Sequence, residues 1–147
     1  KIAFQKAFYL DNISDPGNLG TIFRIASAFN IDSLILAPDT CEISSPKVIR
    51  ASLGAVYQVP FLFCKAENLQ EFKAHIFALD AKGKLTLSRF EPPFEPYIVA
   101  LGNEAKGLSE EILLIAEKII SIPMPGKMES LNVSAAASIL AYFLSQN

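Results

Sequence analysis

Three segments of this 147-residue chain combine glycines with polar side chains that could do chemistry. They are DPGNLGTIFR at residues 15–24, LGNEAKGL at 101–108 and IPMPGKMESLNVS at 122–134. Glycine lets a backbone come close to a ligand, and in open α/β sheets ligands bind beyond the carboxyl ends of the strands. Because each segment begins at or just after an apolar, strand-like run, we expect all three to meet at one edge of a sheet.

The first segment places Gly17, Gly20 and Arg24 at the helical spacings i, i+3 and i+7. These positions share one face of a helix. A stripe without side chains would therefore lead up to the guanidinium, and a ligand could lie along it. The alternative is an ordinary capped helix with an exposed arginine, and the spacing alone does not separate the two interpretations.

The second segment holds Asn103 and Glu104 between Gly102 and Gly107, directly after a predicted strand. Turn formation explains glycine and asparagine well. It explains the carboxylate of Glu104 less well, which makes Glu104 a candidate functional residue.

The third segment contains Ser130 and Asn132 just before a predicted helix. Both residue types are preferred at the N-cap, where a side-chain oxygen accepts a hydrogen bond from a free backbone N–H. Taken alone, this segment is better explained by capping than by catalysis.

The rest of the chain alternates short apolar runs with stretches of helical period, a pattern typical of a parallel α/β sheet with flanking helices. The first helix is predicted to begin at Pro16 after the cap Asp15, and to end near Asn30 in a left-handed conformation. The predicted strands are residues 7–10, 33–37, 59–64, 76–80, 97–101 and 119–122. The other predicted helices are residues 46–53, 109–117 and 132–144, with helical turns at 69–74 and a stiff extended loop at 91–96.

The composition indicates one globular domain over residues 1–147, with 51% apolar residue types. Charged residues make up only 19%, against about 25% in an average soluble domain; such a shortage often reflects a covered surface, so we expect a homo-oligomer. No run reaches the roughly 18 apolar residues that a membrane span needs, so we expect a protein without a membrane segment. The chain lacks an initiator Met, and a neighbour before Lys1 is expected.

Charge and cysteine content narrow the function classes further. Thirteen basic and fifteen acidic residues give a net charge of −2, so a strongly basic polyanion binder is excluded and any nucleic-acid contact must be local. Cys41 and Cys64 lie far apart with only His75 as a possible histidine partner, which supports neither a metal site nor a dithiol site. A reducing, cytoplasmic setting fits best.

Several enzyme classes lack their motifs here. There is no G-x-G-x-x-G after the first strand and no G-x-x-x-x-G-K-[ST], which disfavours a Rossmann dinucleotide enzyme and a P-loop NTPase. G-x-S-x-G is absent and the chain has a single histidine, which leaves little room for a Ser-His-Asp site.

Taken together, the three segments resemble the SpoU, or TrmH-like, RNA 2′-O-methyltransferases of the SPOUT class. The resemblance rests on N-x-G-x-x-x-R ending at Arg24, on L-G-N-E-x-x-G-L at 101–108 and on I-P-M-x-G-x-x-x-S-L-N-V-S at 122–134. R-A-S-L-G-A at 50–55 also fits, so the similarity covers nearly the whole chain in the family's order. It implies an α/β fold whose C-terminal segment forms a deep trefoil knot, a homodimer, and transfer of a methyl group from S-adenosylmethionine to a ribose 2′-OH in rRNA or tRNA.

The resemblance also implies roles for individual residues. Arg24 would act either as a base or as an electrostatic clamp on the target, and the clamp is physically safer because a guanidinium is a poor base. The implied catalytic residues are Arg24, Asn18, Glu104, Ser130 and Asn132; the cofactor contacts are Leu101, Gly102, Ile122, Met124 and Leu131; the substrate contacts are Lys47 and Arg50; and no metal is required.

Two departures from the family pattern are present. Ala105 and Asn30 stand where many relatives have glycine. Asparagine tolerates the left-handed region, so Asn30 is a mild change. Ala105 implies either that this position does not need a positive φ or that it carries strain.

The acidic balance of the chain is unusual for an RNA enzyme, because RNA affinity comes largely from neutralised phosphates. One explanation is an N-terminal RNA-binding extension before Lys1. Another is a local basic mouth formed by Arg24, Lys47, Arg50, Lys106 and Lys127. Two rival functions also stay open at this point: a catalytically silent knotted RNA-binding module, and an α/β enzyme that uses another nucleotide.

Overall fold

Seven strands form one sheet in the computed structural model, which describes residues 3–147. The strands are β1 (Lys6–Asp11), β2 (Ser33–Leu36), β3 (Phe61–Phe63), β4 (His75–Leu79), β5 (Leu85–Thr86), β6 (Tyr97–Gly102) and β7 (Lys118–Ser121). Their order across the sheet is β3-β2-β1-β6-β4-β7-β5. Every strand pairing is parallel, which confirms the predicted parallel α/β sheet. The segment expected before Lys1 lies outside the described residues.

The helices pack on both faces of this sheet. They are α1 (Pro16–Ala28), α2 (Pro46–Ser52), α3 (Glu110–Ile115) and α4 (Val133–Ser145), with 3-10 helices at Ala55–Tyr57, Ala66–Phe72 and Leu87–Arg89. Strand residues alternate between two apolar clusters: Phe8 packs with α1, α2 and α4, whereas Tyr9 packs with the 66–72 helix and α3. In the part of the chain that is described, no helix is long and apolar enough to cross a membrane.

Helix α1 begins as predicted. The side chain of Asp15 accepts a hydrogen bond from the backbone N–H of Asn18 at 3.0 Å, and Pro16 stands in the first turn. The predicted apolar face is fully buried, with Leu19 among its members. Asn30 has φ +53° after the helix, the left-handed conformation that was predicted for it.

Several boundaries differ from the sequence predictions. The predicted strand 59–64 is only Phe61–Phe63, because the backbone N–H of Val59 bonds to Ala55 O and ends the preceding 3-10 helix. The turns expected at 69–74 form a 3-10 helix at Ala66–Phe72. Strand β5 was not predicted, since two residues are too few for any periodicity to show.

The ligand stripe suggested for α1 is wrong. A Cβ on Gly20 would stand 2.5 Å from the carbonyl oxygen of Val48 and 2.7 Å from the Cβ of Ala51. Helix α2 therefore packs directly against Gly20. This contact leaves no space for a ligand on that face of α1. Arg24 is exposed on the next turn, so a ligand can reach the arginine from solvent but not along the glycine face.

The parallel topology brings several strand ends to one edge. Asp11 of β1 pairs with Gly102 of β6, Leu79 of β4 pairs with Leu101 of β6, and Leu79 also pairs with Ile120 of β7. The residues that follow these positions leave the sheet side by side. This edge holds the candidate site.

Candidate functional site

A cavity of about 330 Å³ opens at the carboxyl edge of β4, β6 and β7. That volume lies at the small end of the roughly 300–1,000 Å³ seen for ligand pockets. The lining residues are Leu79, Asp80, Ala81, Leu101, Gly102, Asn103, Glu104, Ala105, Lys106, Gly107, Leu108, Ile122, Met124, Ser130, Leu131, Val133 and Ala136. The second and third sequence segments thus meet in one cavity, which is called the first cavity below.

One wall of the first cavity is the loop between β6 and α3. The backbones of Asn103 and Gly107 exchange two hydrogen bonds, at 3.0 and 2.9 Å. This tight return leaves no room for a side chain at Gly102, where a Cβ would stand 2.6 Å from the carbonyl carbon of Gly107. Gly107 itself has φ +70°, a conformation that glycine adopts without cost. Ala105 has no positive φ, so this departure from the family pattern carries no left-handed strain.

Hydrogen bonds attach this loop to the end of β1. The carboxamide of Asn103 donates to the carbonyl oxygen of Asn12 at 2.6 Å and accepts from the backbone N–H groups of Ala105 and Lys106 at 2.9 Å each. The asparagine side chain thus shapes the loop and joins it to a neighbouring strand.

The carboxylate of Glu104 joins the second segment to the first. It accepts hydrogen bonds from the backbone N–H and hydroxyl of Ser14 at 3.2 and 3.1 Å, from the backbone N–H of Asp15 at 3.2 Å and from Asn18 Nδ2 at 3.2 Å. The oxygens therefore face a set of donors at the start of α1. Turn formation did not explain this residue, and the contacts do.

These donors set the acidity of Glu104. Partial burial acts to raise its pKa, but hydrogen bonds from its own backbone, Ser14, Asn18 and Asp15 outweigh burial and lower the pKa from 4.5. Hydrogen bonds to the charged form favour ionisation. Glu104 is therefore held as a carboxylate at neutral pH.

Most residues expected in the site reach the first cavity. The expected cofactor contacts Leu101, Gly102, Ile122, Met124 and Leu131 all line it, as do Glu104 and Ser130. Asn132 does not line it; its Oδ1 accepts from the backbone N–H of Ser134 at 2.8 Å and caps α4. The capping alternative therefore holds for Asn132 and not for Ser130. Asn18 reaches the site through Glu104.

The three basic candidates lie on the surface outside the first cavity. Arg24 on α1 and Lys47 and Arg50 on α2 are all exposed to solvent. The side chain of Lys47 lies over the start of α1, with its Cε 3.6 Å from where a Cβ on Gly17 would stand. These side chains can meet a ligand that approaches from solvent, and they do not form the cavity wall.

The sequence analysis did not predict one wall of the first cavity, nor the hydrogen-bond donor Ser14 that binds Glu104. Leu79, Asp80 and Ala81 line the cavity at the end of β4, and the strand-end rule would have found them because the predicted strand ended there. Ser14 gave no such signal, since its contact with Glu104 spans 90 positions. Within residues 3–147, no cluster of three metal-binding side chains occurs.

The family comparison agrees with this geometry. The model of the SpoU rRNA methylase family matches residues 5–142. This chain belongs to the SpoU rRNA methylase family. The match covers all three segments and every residue that lines the first cavity.

Individual relatives extend the likeness. The chain is 30% identical, over 146 residues, to the 23S rRNA (guanosine(2553)-2′-O)-methyltransferase RlmP of Bacillus subtilis, covering 95% of this chain and 58% of that protein. An AdoMet-bound rRNA methyltransferase from Sinorhizobium meliloti superposes with a TM-score of 0.91 at 27% identity, over 99% of this chain and 57% of that one. The TrmH/SpoU tRNA modifying enzyme of A. aeolicus gives 0.84 at 28% identity, over 99% and 76%. The chain spans about half the length of the curated relatives it matches.

Replacing Glu104 with alanine tests the attachment of the loop to α1. We expect the free energy of unfolding at pH 7 to fall by about 1 kcal/mol, below the 1.5–3 kcal/mol typical of hydrogen bonds to charged groups, because solvent screens this exposed carboxylate. Since the folded-state pKa lies below the unfolded value of 4.5, the stabilisation is complete above that pH and disappears as the pH falls through the lowered pKa. Urea denaturation between pH 3 and 7 measures both effects.

Glu91→Ala is the matched control, because Glu91 is exposed and makes no side-chain hydrogen bond to any described residue. It should leave the unfolding free energy nearly unchanged at every pH. A Glu104 variant that is as stable as the control would show that the four contacts do not hold the site together.

Proposed function

We propose that residues 1–147 form the catalytic unit of an RNA methyltransferase that transfers a methyl group from S-adenosylmethionine to a ribose 2′-OH in rRNA or tRNA. The observation that carries the proposal is the meeting of the second and third segments in the first cavity, with Glu104 joining the first segment to them. The names of the relatives, which include rRNA and tRNA enzymes, support the substrate class. They leave both kinds of RNA in the proposal.

The first cavity fits the proposed cofactor. Its apolar side chains, among them Leu101, Ile122 and Leu131, suit an adenine ring, and Gly102 lines the same space without a side chain. Asp80 and Glu104 also line this space, and two acidic residues beside the cavity suit a positively charged sulfonium. When bound, S-adenosylmethionine supplies an electrophilic methyl group.

The proposed catalytic chemistry of the chain itself centres on Arg24. The reaction needs an aligned 2′-oxygen and stabilisation of the negative charge that develops on it. An exposed guanidinium can hold the phosphate of the target nucleotide in bidentate fashion and stabilise that charge. Arg24 stands outside the wall of the first cavity, a position that suits a contact with substrate rather than with cofactor.

The other proposed catalytic residues act as positioning groups. Glu104 holds Asn18 by a 3.2 Å hydrogen bond, and this fixes the start of the helix that carries Arg24. Ser130 lines the first cavity, where its hydroxyl can bind the ribose or the cofactor. Asn132 acts through the cap of α4, which sets where the preceding loop ends.

RNA binding is assigned to a local basic mouth on an acidic chain. Lys47 and Arg50 lie on the solvent side of α2, which packs on α1 beside the site. Lys106 lines the first cavity and Lys127 is exposed in the loop before α4. The N-terminal RNA-binding extension expected before Lys1 would add to this mouth. We place the reaction in the cytoplasm, in keeping with two free cysteines among the described residues.

A homodimer and a knotted C-terminal segment complete the proposal. Helix α4 exposes Ile139 by 41% and Tyr142 by 58% of their surface, with Leu131 exposed just before the helix. Apolar patches of this kind mark protein contacts when they are contiguous. Tyr142 also packs edge-on against Phe29 at 6.2 Å between ring centres, which presents a preformed aromatic surface to a second copy.

Methyl-transfer kinetics with labelled cofactor and RNA from a strain lacking the gene test the function and the roles of the basic residues. Arg24→Ala should keep its affinity for S-adenosylmethionine but show a kcat about 100-fold lower, as when a donor to a developing oxyanion is removed. Lys47→Glu with Arg50→Glu should instead weaken RNA binding and reduce its salt dependence by about 0.7 in log–log slope for each phosphate that is no longer neutralised.

Arg89→Ala is the control, because Arg89 is exposed on a 3-10 helix and lines neither this cavity nor the neighbouring one; it should behave as the wild type. Normal turnover by the Arg24 variant would remove Arg24 from the mechanism. An unchanged salt slope in the double variant would contradict the local basic mouth. A wild-type chain that binds RNA and cofactor but never transfers a methyl group would favour the silent RNA-binding module.

Sedimentation velocity tests the dimer. The chain of 16.0 kDa should sediment at twice that mass, and Tyr142→Asp should shift it to the monomer because a charge would be buried at the contact. Leu114→Asp is the control, since Leu114 is 84% exposed on α3. A monomeric wild type, or an equal effect of both variants, would contradict the proposed interface.

A further inference from the structure

A second cavity, of about 300 Å³, lies beside the first at the same edge of the sheet. It is lined by Asp11, Asn12, Ser14, Asp39, Asn103, Lys106, Gly107, Leu108 and Ser109. Four of these residues, Asn103 and those from Lys106 to Leu108, also line the first cavity. The loop between β6 and α3 therefore separates two adjacent cavities, and the proposed cofactor would occupy only one of them.

Hydrogen-bond acceptors dominate the second cavity. Asp11 is only 3% exposed, and its Oδ2 accepts from the backbone N–H of Ser109 at 2.6 Å. Its Oδ1 has no hydrogen-bond partner in the described part of the chain, and neither has the carboxylate of exposed Asp39. Asn12 has a buried side-chain oxygen without a partner and a φ of +62°. A buried polar group left unpaired costs free energy, so the free oxygen of Asp11 suits a ligand that brings a donor, and exposed Asp39 offers a second acceptor in the same cavity.

We infer that the second cavity binds the base of the nucleotide to be methylated and selects bases that carry an exocyclic amino group. The inference rests on the proposed function, because it assigns a specificity to the same site. A carboxylate accepts from the amino group of cytosine in the same way as at protein–DNA contacts. Uracil has a carbonyl oxygen at that position, which two carboxylates would repel.

The placement of the two cavities suits a single nucleotide. The ribose is bonded directly to the base, so a base in the second cavity puts its ribose at the shared wall, next to the first cavity. Lys106 lines both cavities, where its ammonium group can meet the phosphate. Flipped bases are read in this manner, by hydrogen bonds to the edge of the base within a closed pocket.

A hard cation such as calcium or magnesium is the alternative occupant of the second cavity. The cavity offers such a cation too few oxygen ligands. Calcium takes about 6–8 oxygen ligands, and magnesium needs a near-ideal octahedron. The second cavity offers Asp11 and Asp39, and one oxygen of Asp11 is already engaged by Ser109. No cluster of three acidic or other metal-binding residues occurs from residue 3 onward.

The test is to titrate the full chain with cytidine 5′-monophosphate and, separately, with uridine 5′-monophosphate. Both titrations are monitored by the amide NMR signals of the protein. These probes differ at the exocyclic position and the adjacent ring nitrogen. Both titrations are run with and without saturating S-adenosylhomocysteine, which keeps the probes out of the first cavity. We expect the cytidine nucleotide to bind about tenfold more tightly than the uridine nucleotide, with shifts at Asn12, Asp39 and Ser109.

Asp39→Asn should bring the ratio of the two affinities close to one, because an amide can donate to uracil as well as accept from cytosine. Asp39 is exposed, so this variant should fold. Glu67→Gln is the matched control, since Glu67 is exposed on the 66–72 helix, and it should keep the wild-type ratio.

Equal affinity for the two nucleotides, or shifts confined to residues outside the second cavity, would overturn the inference. So would displacement of the cytidine nucleotide by magnesium chloride at millimolar concentration, which would assign the cavity to a cation. Failure of S-adenosylhomocysteine to bind would instead contradict the proposed function. The nucleotide ratio measured without S-adenosylhomocysteine would still decide the inference by itself.

Discussion

The site depends on the attachment of one loop to the start of one helix. The loop between β6 and α3 carries Glu104, and Glu104 accepts four hydrogen bonds from Ser14, Asp15 and Asn18. Without these bonds, the two segments would be joined mainly through the sheet beneath them. Because hydrogen bonds to a carboxylate keep it ionised, the same contact also fixes a negative charge beside the cavity that is proposed for a sulfonium.

The sheet provides the rigid support for this contact. Parallel strands buried on both faces give long apolar runs, and β6 is a clear example, with every residue from Tyr97 to Leu101 buried. The strands end together, and function is placed on the loops that leave them. Gly102 and Gly107 allow the loop to turn back at once, and residues of this loop line both cavities.

Much of this architecture could be predicted from the sequence because its signals are local. Asp15, Pro16 and a buried periodic face defined α1, and the strand-end rule brought the second and third segments to one edge. The role of Gly20 could not be predicted, since an open helical face and a face covered by another helix have the same spacing. The contact between Ser14 and Glu104 was also hidden, because it joins positions 90 residues apart. The resemblance to the family predicted cofactor contacts that line the first cavity, a set that spacing alone left open.

The proposed chemistry requires that the first cavity, at the carboxyl edge of β4, β6 and β7, binds the methyl donor. Calorimetric titration with S-adenosylhomocysteine is the sharpest test of this requirement, on the wild type and on Leu131→Asp and Met128→Asp. Leu131 lines the first cavity, whereas Met128 lies on the same loop, is 75% exposed and does not line the cavity. We expect one site per chain, an affinity at least about tenfold weaker for Leu131→Asp, equivalent to about 1.4 kcal/mol, and an unchanged affinity for Met128→Asp. No binding by the wild type, or an equally weakened affinity in both variants, would contradict it.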